Sequence, residues 1–262
     1  STPSNSSAAS DVYKRQGLDL RIRYIERCVV SSQDIAKEEA DRGAPEGTVV
    51  ICGSMEVGRG RFGRRWYAPP GGLWFTVITR PREVEKPWLI TLVGGVAVAE
   101  TLRVLLGVEA GLKWPNDVVV EGKKVAGILA EGIAEGTSIS YVLLGIGVNV
   151  NNELPKELME IATTLKKVLG REIPRATLLA SILRRLWSLY QELKKTPITV
   201  IRKWRDLNVT LNKYVEIKLV NGDLVRGTAV DIDNDGKLLV MTFRGLMAID
   251  AGEVLNLRPL HD

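Results

Sequence analysis

Histidine is almost missing from this sequence: one occurs in 262 residues, at position 261, one residue from a C-terminus where chains commonly fray. Without an internal histidine there is no Ser-His-Asp or Cys-His nucleophilic machinery and no histidine-rich zinc site. Any chemistry must rest on lysine, arginine, carboxylates, amides and backbone groups. Cysteine is nearly as scarce. Cys28 and Cys52 are the only two, and no pattern suggests a disulfide framework, so a reducing, cytoplasmic setting is the default expectation. Long apolar runs are lacking too. The longest, residues 89–99, stops at Glu100, whereas spanning a bilayer takes about 20 apolar residues, so no membrane span is expected. The first sixteen residues, STPSNSSAASDVYKRQ, have no apolar core of the kind a secretory signal needs; they predict a disordered tail and are set aside.

What is present fits a soluble globular protein: 45% hydrophobic and 26% charged residues are too apolar for wholesale disorder. With domains usually running about 100–200 residues, a chain of 262 predicts two. The net charge of +5 suits an anionic ligand but does not choose between nucleotide, nucleic acid and neither.

Residues 20–30 read as a strand. Ser31–Ser32–Gln33–Asp34 then opens a helix to about residue 41, with Ser31 and Asp34 spaced as a capping box that satisfies backbone N–H groups at the helix start. Residues 48–52 and 73–79 are apolar strands. Helical periodicity covers 86–106, with Gly94–Gly95 as a weak or closely packed point. Strands follow at 118–120, 125–131 and 141–150, then helices over 177–193 and 199–207. From Asn212 the texture changes to short β runs broken by Asn221–Gly222–Asp223 and Asp233–Asn234–Asp235–Gly236, which are hairpin turn signals. The expectation is an α+β fold with a mixed sheet, divided into a tail (1–16), a main domain (17–208) and a small C-terminal β-barrel (209–262).

Two motifs mislead. Gly58-Arg-Gly60-Arg-Phe-Gly63 matches the dinucleotide fingerprint G-x-G-x-x-G, but Arg64–Arg65–Trp66–Tyr67–Ala68–Pro69–Pro70 follows where that fingerprint needs a helix. Asp231-x-Asp233-x-Asp235-Gly236 opens like a calcium loop, yet Thr242 stands where a bidentate glutamate belongs, so a hairpin turn is expected.

Four other features carry chemistry. Arg59, Arg61, Arg64 and Arg65 are interleaved with three glycines in eight residues. Glycines admit backbone close to a ligand, and guanidinium forks match phosphate and carboxylate oxygens. The same composition also fits a solvated basic loop or a nucleic-acid contact. Lys113–Trp114–Pro115–Asn116–Asp117 offers oxygens for a hard cation, or is a turn whose Asn and Asp bond their own backbone. Lys124 opens an aliphatic strand, where a buried ammonium needs an anionic partner unless the hairpin turn exposes it. Gly145-Ile-Gly147-Val-Asn149 makes room for a flat ring or relieves a bulge.

In this order, SSQD, GRGRFGRRW, KWPND, KVAGILAE and GIGVNVNN resemble the biotin–protein ligase family, from about residue 20 to the end. The resemblance implies a class II synthetase-like catalytic domain with a C-terminal SH3-like β-barrel. The helix-turn-helix domain of repressor-type members has no counterpart in these residues, so DNA binding is not implied. Ser31, Ser32 and Gln33 would contact the ureido head of biotin; Arg59, Gly60 and Arg61 would close over its carboxylate and the nucleotide phosphates; Lys124 would sit between carboxylate and α-phosphate. Arg61, Arg64, Trp66, Lys113, Asn116 and Asn149 would border ATP, with Asn116 near Mg2+, while Gly127 and Gly145 would line the biotin ring. The implied partner is the biotin carboxyl carrier protein domain of a biotin-dependent carboxylase, in the cytoplasm; monomer and homodimer both stay open. The sequence departs from the family at Met55, where a biotin-binding glutamine is usual, and at Gln33, a variant of the usual asparagine. A thioether offers few hydrogen bonds, so weaker biotin affinity, or replacement by Glu56 or Gln33, is expected. A lipoate-type ligase shares the adenylate chemistry, but the order of RGR and KWPND argues against it. A nucleic-acid module leaves KWPND and KVAGILAE unexplained.

Overall fold

The computed structural model describes residues 20–136 and 138–259. The serine-rich tail and His261 lie outside them, as do the expectations placed there. The main domain comprises β1 (Arg21–Ile25), α1 (Ser32–Asp41), β2 (Thr48–Cys52), β3 (Met55–Arg59), β4 (Arg65–Ala68), β5 (Leu73–Thr79), α2 (Ile90–Leu106), β6 (Ala110–Lys113), β7 (Asp117–Val120), β8 (Lys123–Glu135), β9 (Ser138–Val148), α3 (Leu165–Leu169), α4 (Arg175–Lys195) and α5 (Pro197–Leu207). Seven strands form one mixed sheet in the order β1-β2-β5-β9-β8-β7-β6, with β1 and β2 parallel and the other neighbours antiparallel. The short β6 and the β3–β4 hairpin were not legible in the sequence.

Strand periodicity sorts the two faces. Val49, Val77, Leu144 and Ile146 join the main core with α2, α4 and α5, while Val50, Ile78, Tyr141 and Leu143 pack against Ala36 and Ala40 of α1. Helix α1 starts as its sequence implies: Ser31 is the cap, its side chain accepts from Gln33 N–H, and Asp34 completes the capping box. Gly94 in α2 is a point of close packing, since a Cβ there would lie 2.9 Å from Ile128. The segment Pro87–Leu106 is long and apolar enough to cross a membrane, but 67% of its apolar window is buried inside the protein, so its apolarity serves the core.

The structure corrects the reading of the cysteines. Cys28 and Cys52 form a disulfide with Cα atoms 5.9 Å apart. They are 24 residues apart, and only the parallel pairing of β1 with β2, with Ile25 opposite Cys52, brings them together. The inference of a reducing compartment from unpaired cysteines therefore loses its support.

The C-terminal residues form β10 (Lys213–Leu219), β11 (Leu224–Ile232), β12 (Leu238–Thr242), β13 (Gly245–Ile249) and β14 (Gly252–Pro259), one antiparallel sheet in the order β13-β12-β11-β10-β14. The expected barrel does not close, because β13 and β14 exchange no ladder hydrogen bonds and remain the two edges. The acidic β11–β12 turn is the hairpin turn expected rather than a calcium loop: Asp233 Oδ1 accepts from the N–H groups of Asp235 and Lys237. It also docks the two domains. Trp88 Nε1 donates to Asp235 O, Lys86 pairs with Asp235 at 2.6 Å, and Trp114 Nε1 donates to Gly236 O at 3.3 Å.

Candidate active site

The α1 face of the sheet loses its bulky side chains at one end. Thr76 on β5 stands opposite Gly145 on β9, and Gly147 stands opposite Gly127 on β8, giving a floor of small residues. The N-terminus of α1 ends above it. Ser32 Oγ bonds Thr76 Oγ1 at 2.8 Å, and Gln33 lies over Gly145, where a Cβ would come within 2.5 Å of Gln33 Oε1. Trp66 lies over Gly127 and Gly147, with its Nε1 2.7 Å from where a Gly147 Cβ would be. The glycines thus serve close approach and not a bulge; the β8–β9 register shift is farther along, at Ile133/Ala134.

A bulge nearby does decide which way Lys124 points. Val118 pairs with Ala126 but Val119 pairs with Lys124, so Val125 is an extra residue on β8. The extra residue reverses strand parity and puts Lys124 on the same face as Asp117 and Gly127. Its ammonium sits 2.5 Å from Asp117 Oδ1 and 5.0 Å from the centre of the Trp66 ring. This is the anionic partner that a lysine in an aliphatic strand required. The KWPND segment is the β6–β7 turn, with a cis Trp114–Pro115 bond, and its amide bonds other elements rather than its own backbone. Asn116 Nδ2 donates to Ile128 O at 2.7 Å, and its Oδ1 faces Arg61 at 3.4 Å.

The arginine-glycine segment is the β3–β4 hairpin, standing over the floor as a lid. At its tip Phe62 adopts φ 57. Three of its arginines are engaged within the protein. Arg59 donates to Asp34 and Glu131, both at 2.5 Å; Arg64 forks onto Glu253; Arg65 donates to Glu56 O. Two of these arginines meet carboxylates, and Arg65 meets a backbone carbonyl. Arg61 turns inward, with long contacts of 3.4 Å to Asn116 and to Gly252 O and its guanidinium over the Phe62 ring. Burial lowers the pKa of Arg61 and of Lys113, with Asp117 acting against it in both. Two partly dehydrated cations facing Lys124 across one space form a receptor for an anion.

The space is a cavity of about 460 Å³, within the about 300–1,000 Å³ usual for small-molecule sites. Every site residue named from the sequence, from Ser31 to Asn149, borders it. Asn149 is buried and its backbone N–H bonds Val125 O, which ties the end of β9 to the bulge beneath Lys124. Among the described residues, Trp66 Nε1 is a buried donor without a partner. An unmade bond of that kind costs about 1–3 kcal/mol, which an acceptor on a ligand would recover.

Sequence reasoning missed three contributors. Glu131 was inside a recognised block, and a carboxylate ending an apolar strand was a usable signal. Asp34 was read only as a cap. Glu253 had no local signal, because it reaches the site from the C-terminal sheet. Met55 lines the cavity, and its Sδ accepts the Ser32 N–H at 3.2 Å.

Fold and site together define a protein built to receive a small anionic molecule. Residues 26–149 match the biotin/lipoate A/B protein ligase family, and residues 210–255 match the biotin protein ligase C-terminal domain. The chain is 35% identical over 232 residues to the bifunctional ligase/repressor BirA of Bacillus subtilis, covering 86% of this chain and 70% of the relative. It is 33% identical over 237 residues to the biotin–[acetyl-CoA-carboxylase] ligase of Mycobacterium tuberculosis, covering 87% and 86%. The structure of the Aquifex aeolicus biotin protein ligase in complex with biotin and ATP superposes with a TM-score of 0.80 at 30% identity, covering 92% of this chain and 99% of that one. The chain belongs to the biotin protein ligase family and is an enzyme.

Proposed function

We propose that this protein activates biotin with ATP to biotinyl-5'-AMP and transfers the biotinyl group to a lysine of a biotin carboxyl carrier protein domain. The observation that carries the reading is the convergence of Arg61, Lys113 and Lys124 on one cavity whose floor is glycine. A biotin carboxylate oxygen attacks the α-phosphorus of ATP and diphosphate leaves. Two anions must meet, so the barrier is largely electrostatic, and preorganised cations lower it without histidine. Lys124 is placed to bridge carboxylate and α-phosphate, Arg61 and Lys113 to hold the phosphates, and Trp66 with Asn149 to border the nucleotide. Gln33, Ser32 and Gly145 take the ureido ring. Lid closure excludes water from the mixed anhydride. The acceptor lysine amine then attacks the acyl carbonyl and AMP leaves.

Among the described residues no group of three or more His, Cys, Asp or Glu could hold a metal. Asn116 and Asp117 supply two oxygen donors beside the cations, which fits magnesium carried in on substrate phosphates rather than caged by the protein. Bound there, it would neutralise phosphate charge. The functional units proposed are 17–208 for chemistry and 209–262, an SH3-like module, for completing the pocket.

The test is incubation with ATP, magnesium and radiolabelled biotin, with an apo carrier domain as acceptor and lipoate as the competing acid. Labelled adenylate and carrier are expected with biotin alone; absence of both removes the proposal, and transfer of lipoate instead redirects it.

Two further outcomes are expected. Met55→Gln replaces a weak sulfur acceptor with an amide oxygen and is expected to tighten biotin binding roughly tenfold, one hydrogen bond being worth about 0.5–1.5 kcal/mol. Calorimetric titration measures it, and weaker binding would mean that Met55 is adapted to something else. Glu253→Gln removes the half-exposed bridge to Arg64, worth about 0.2–1 kcal/mol, and is expected to raise KM for ATP about threefold. Pairing with Arg64 draws the Glu253 carboxyl below its ordinary pKa. The folded-state pKa is the depressed one, so the bridge is intact at neutral pH and is lost only as acid titrates through that lowered value. The variant's KM should therefore differ from wild type at pH 7 and pH 8 alike; convergence at pH 8 would refute the assignment.

A further inference from the structure

Resting on the proposed reading, we propose that Glu131 is a positioning residue that sets the polarity of the biotin head-group subsite and locks the lid to it. One carboxylate serves two elements. Its Oε2 accepts from Gln33 Nε2 at 2.7 Å and its Oε1 accepts from Arg59 at 2.5 Å. Gln33 belongs to the first turn of α1 and Arg59 to the lid hairpin, and these segments have no covalent reason to keep a common register. The same guanidinium also grips Asp34, one residue from Gln33.

The consequence for Gln33 follows from donor and acceptor chemistry. An ionised carboxylate only accepts, so the amide must turn its NH2 toward Glu131. Its carbonyl oxygen then faces the other way, over Gly145, where the missing Cβ leaves it room. Gln33 therefore meets the ligand as an acceptor, the complement of a ureido N–H and the wrong partner for a ligand offering only carbonyl oxygen at that place. Strand parity puts Glu131 there: Gly127, Leu129 and Glu131 alternate onto the floor face of β8, opposite Gly147, Gly145 and Leu143. Arg59, assigned by family resemblance to the biotin carboxylate, acts in this arrangement on the protein instead, and the anion falls to Arg61, Lys113 and Lys124.

The experiment compares full-length wild type, Glu131→Gln, Glu131→Ala and Glu131→Asp for biotin affinity and ATP affinity by calorimetry, for melting temperature, and for loss of preformed biotinyl-adenylate to hydroxylamine. Glutamine in place of Glu131 can donate as well as accept, which frees Gln33 to flip and removes the negative charge that faces Arg59. Expected for Glu131→Gln is a biotin Kd about tenfold higher, adenylate lost about tenfold faster, ATP Kd within about twofold, and an unchanged melting temperature. Glu131→Asp keeps the charge and is expected to recover part of both losses. Unchanged biotin affinity and adenylate retention in the folded Gln and Ala variants would overturn the proposal. So would equal weakening of biotin and ATP with a lowered melting temperature, which marks a merely structural role; if Gln or Ala fails to fold, Glu131→Asp decides by the same two readouts. A wild type that binds ATP but no biotin would instead remove the functional reading itself.

Discussion

Lys124→Ala is expected to cut the rate of biotinyl-adenylate formation about 100- to 1,000-fold, the loss typical when one preorganised electrostatic contact to a transition state is removed. The ammonium is held by Asp117 at 2.5 Å and by the Trp66 ring, with its side chain 29% exposed at the cavity wall, so little core packing depends on it. Melting temperature should therefore stay within a few degrees while the rate falls. Single-turnover formation of labelled adenylate measures the rate, and diphosphate release confirms it. Lys124→Arg keeps the charge but not the compact ammonium, and should recover only part of the rate. Activity within threefold of wild type in the alanine variant would remove Lys124 from the chemistry and leave Arg61 and Lys113 as the cations to test.

Trp114→Ala is expected to cost about 3–5 kcal/mol of stability, the usual range for emptying a buried aromatic site. Trp114 is 2% exposed, belongs to the main core, receives support through its N–H from Thr210 Oγ1 at 2.9 Å, and reaches Gly236 O in the C-terminal sheet. The backbone N–H of Trp114 thus ties the β6–β7 turn to Thr210, and its indole fills the core and ties the turn to the C-terminal sheet. Urea denaturation should show the loss, and limited proteolysis should show cleavage near residue 208 before global unfolding. KM for ATP should rise as well, because Lys113 and Asn116 flank this residue. A loss below 1 kcal/mol would show that the turn and the C-terminal sheet are held by other contacts, such as Lys86 with Asp235.

Legibility followed the range of the interaction. The capping box of α1 was readable because Ser31 and Asp34 are three residues apart and a helix start needs just those groups. Strands β2 and β5 were readable to the residue, since runs dominated by apolar and β-branched residues leave little choice of boundary. The lid was read as a loop because its glycines and arginines carry no strand period; pairing of Gly58 with Trp66 and of Arg59 with Arg65 makes it a hairpin. The last fifty residues announced β hairpins through their turns. Whether the sheet closes depends on edges far apart in the chain, and no turn reports that.

By itself the sequence determined the kind of chemistry: a chain with no internal histidine, but with lysines, arginines and glycine pairs in ordered blocks, is equipped to bring anions together. The residues it singled out all border one cavity, although Asp34, Glu131 and Glu253 were not among them. Only the tertiary structure decided what each of them faces. The bulge at Val125 turns Lys124 from the core to the floor, the parallel pairing of β1 and β2 joins Cys28 to Cys52, and Glu131 with Asp34 engages the Arg59 guanidinium. The physical reason is common to all three. Strand parity reverses with a single unpaired residue, and a side chain, thiol or charged, finds its partner across a register that local composition does not encode.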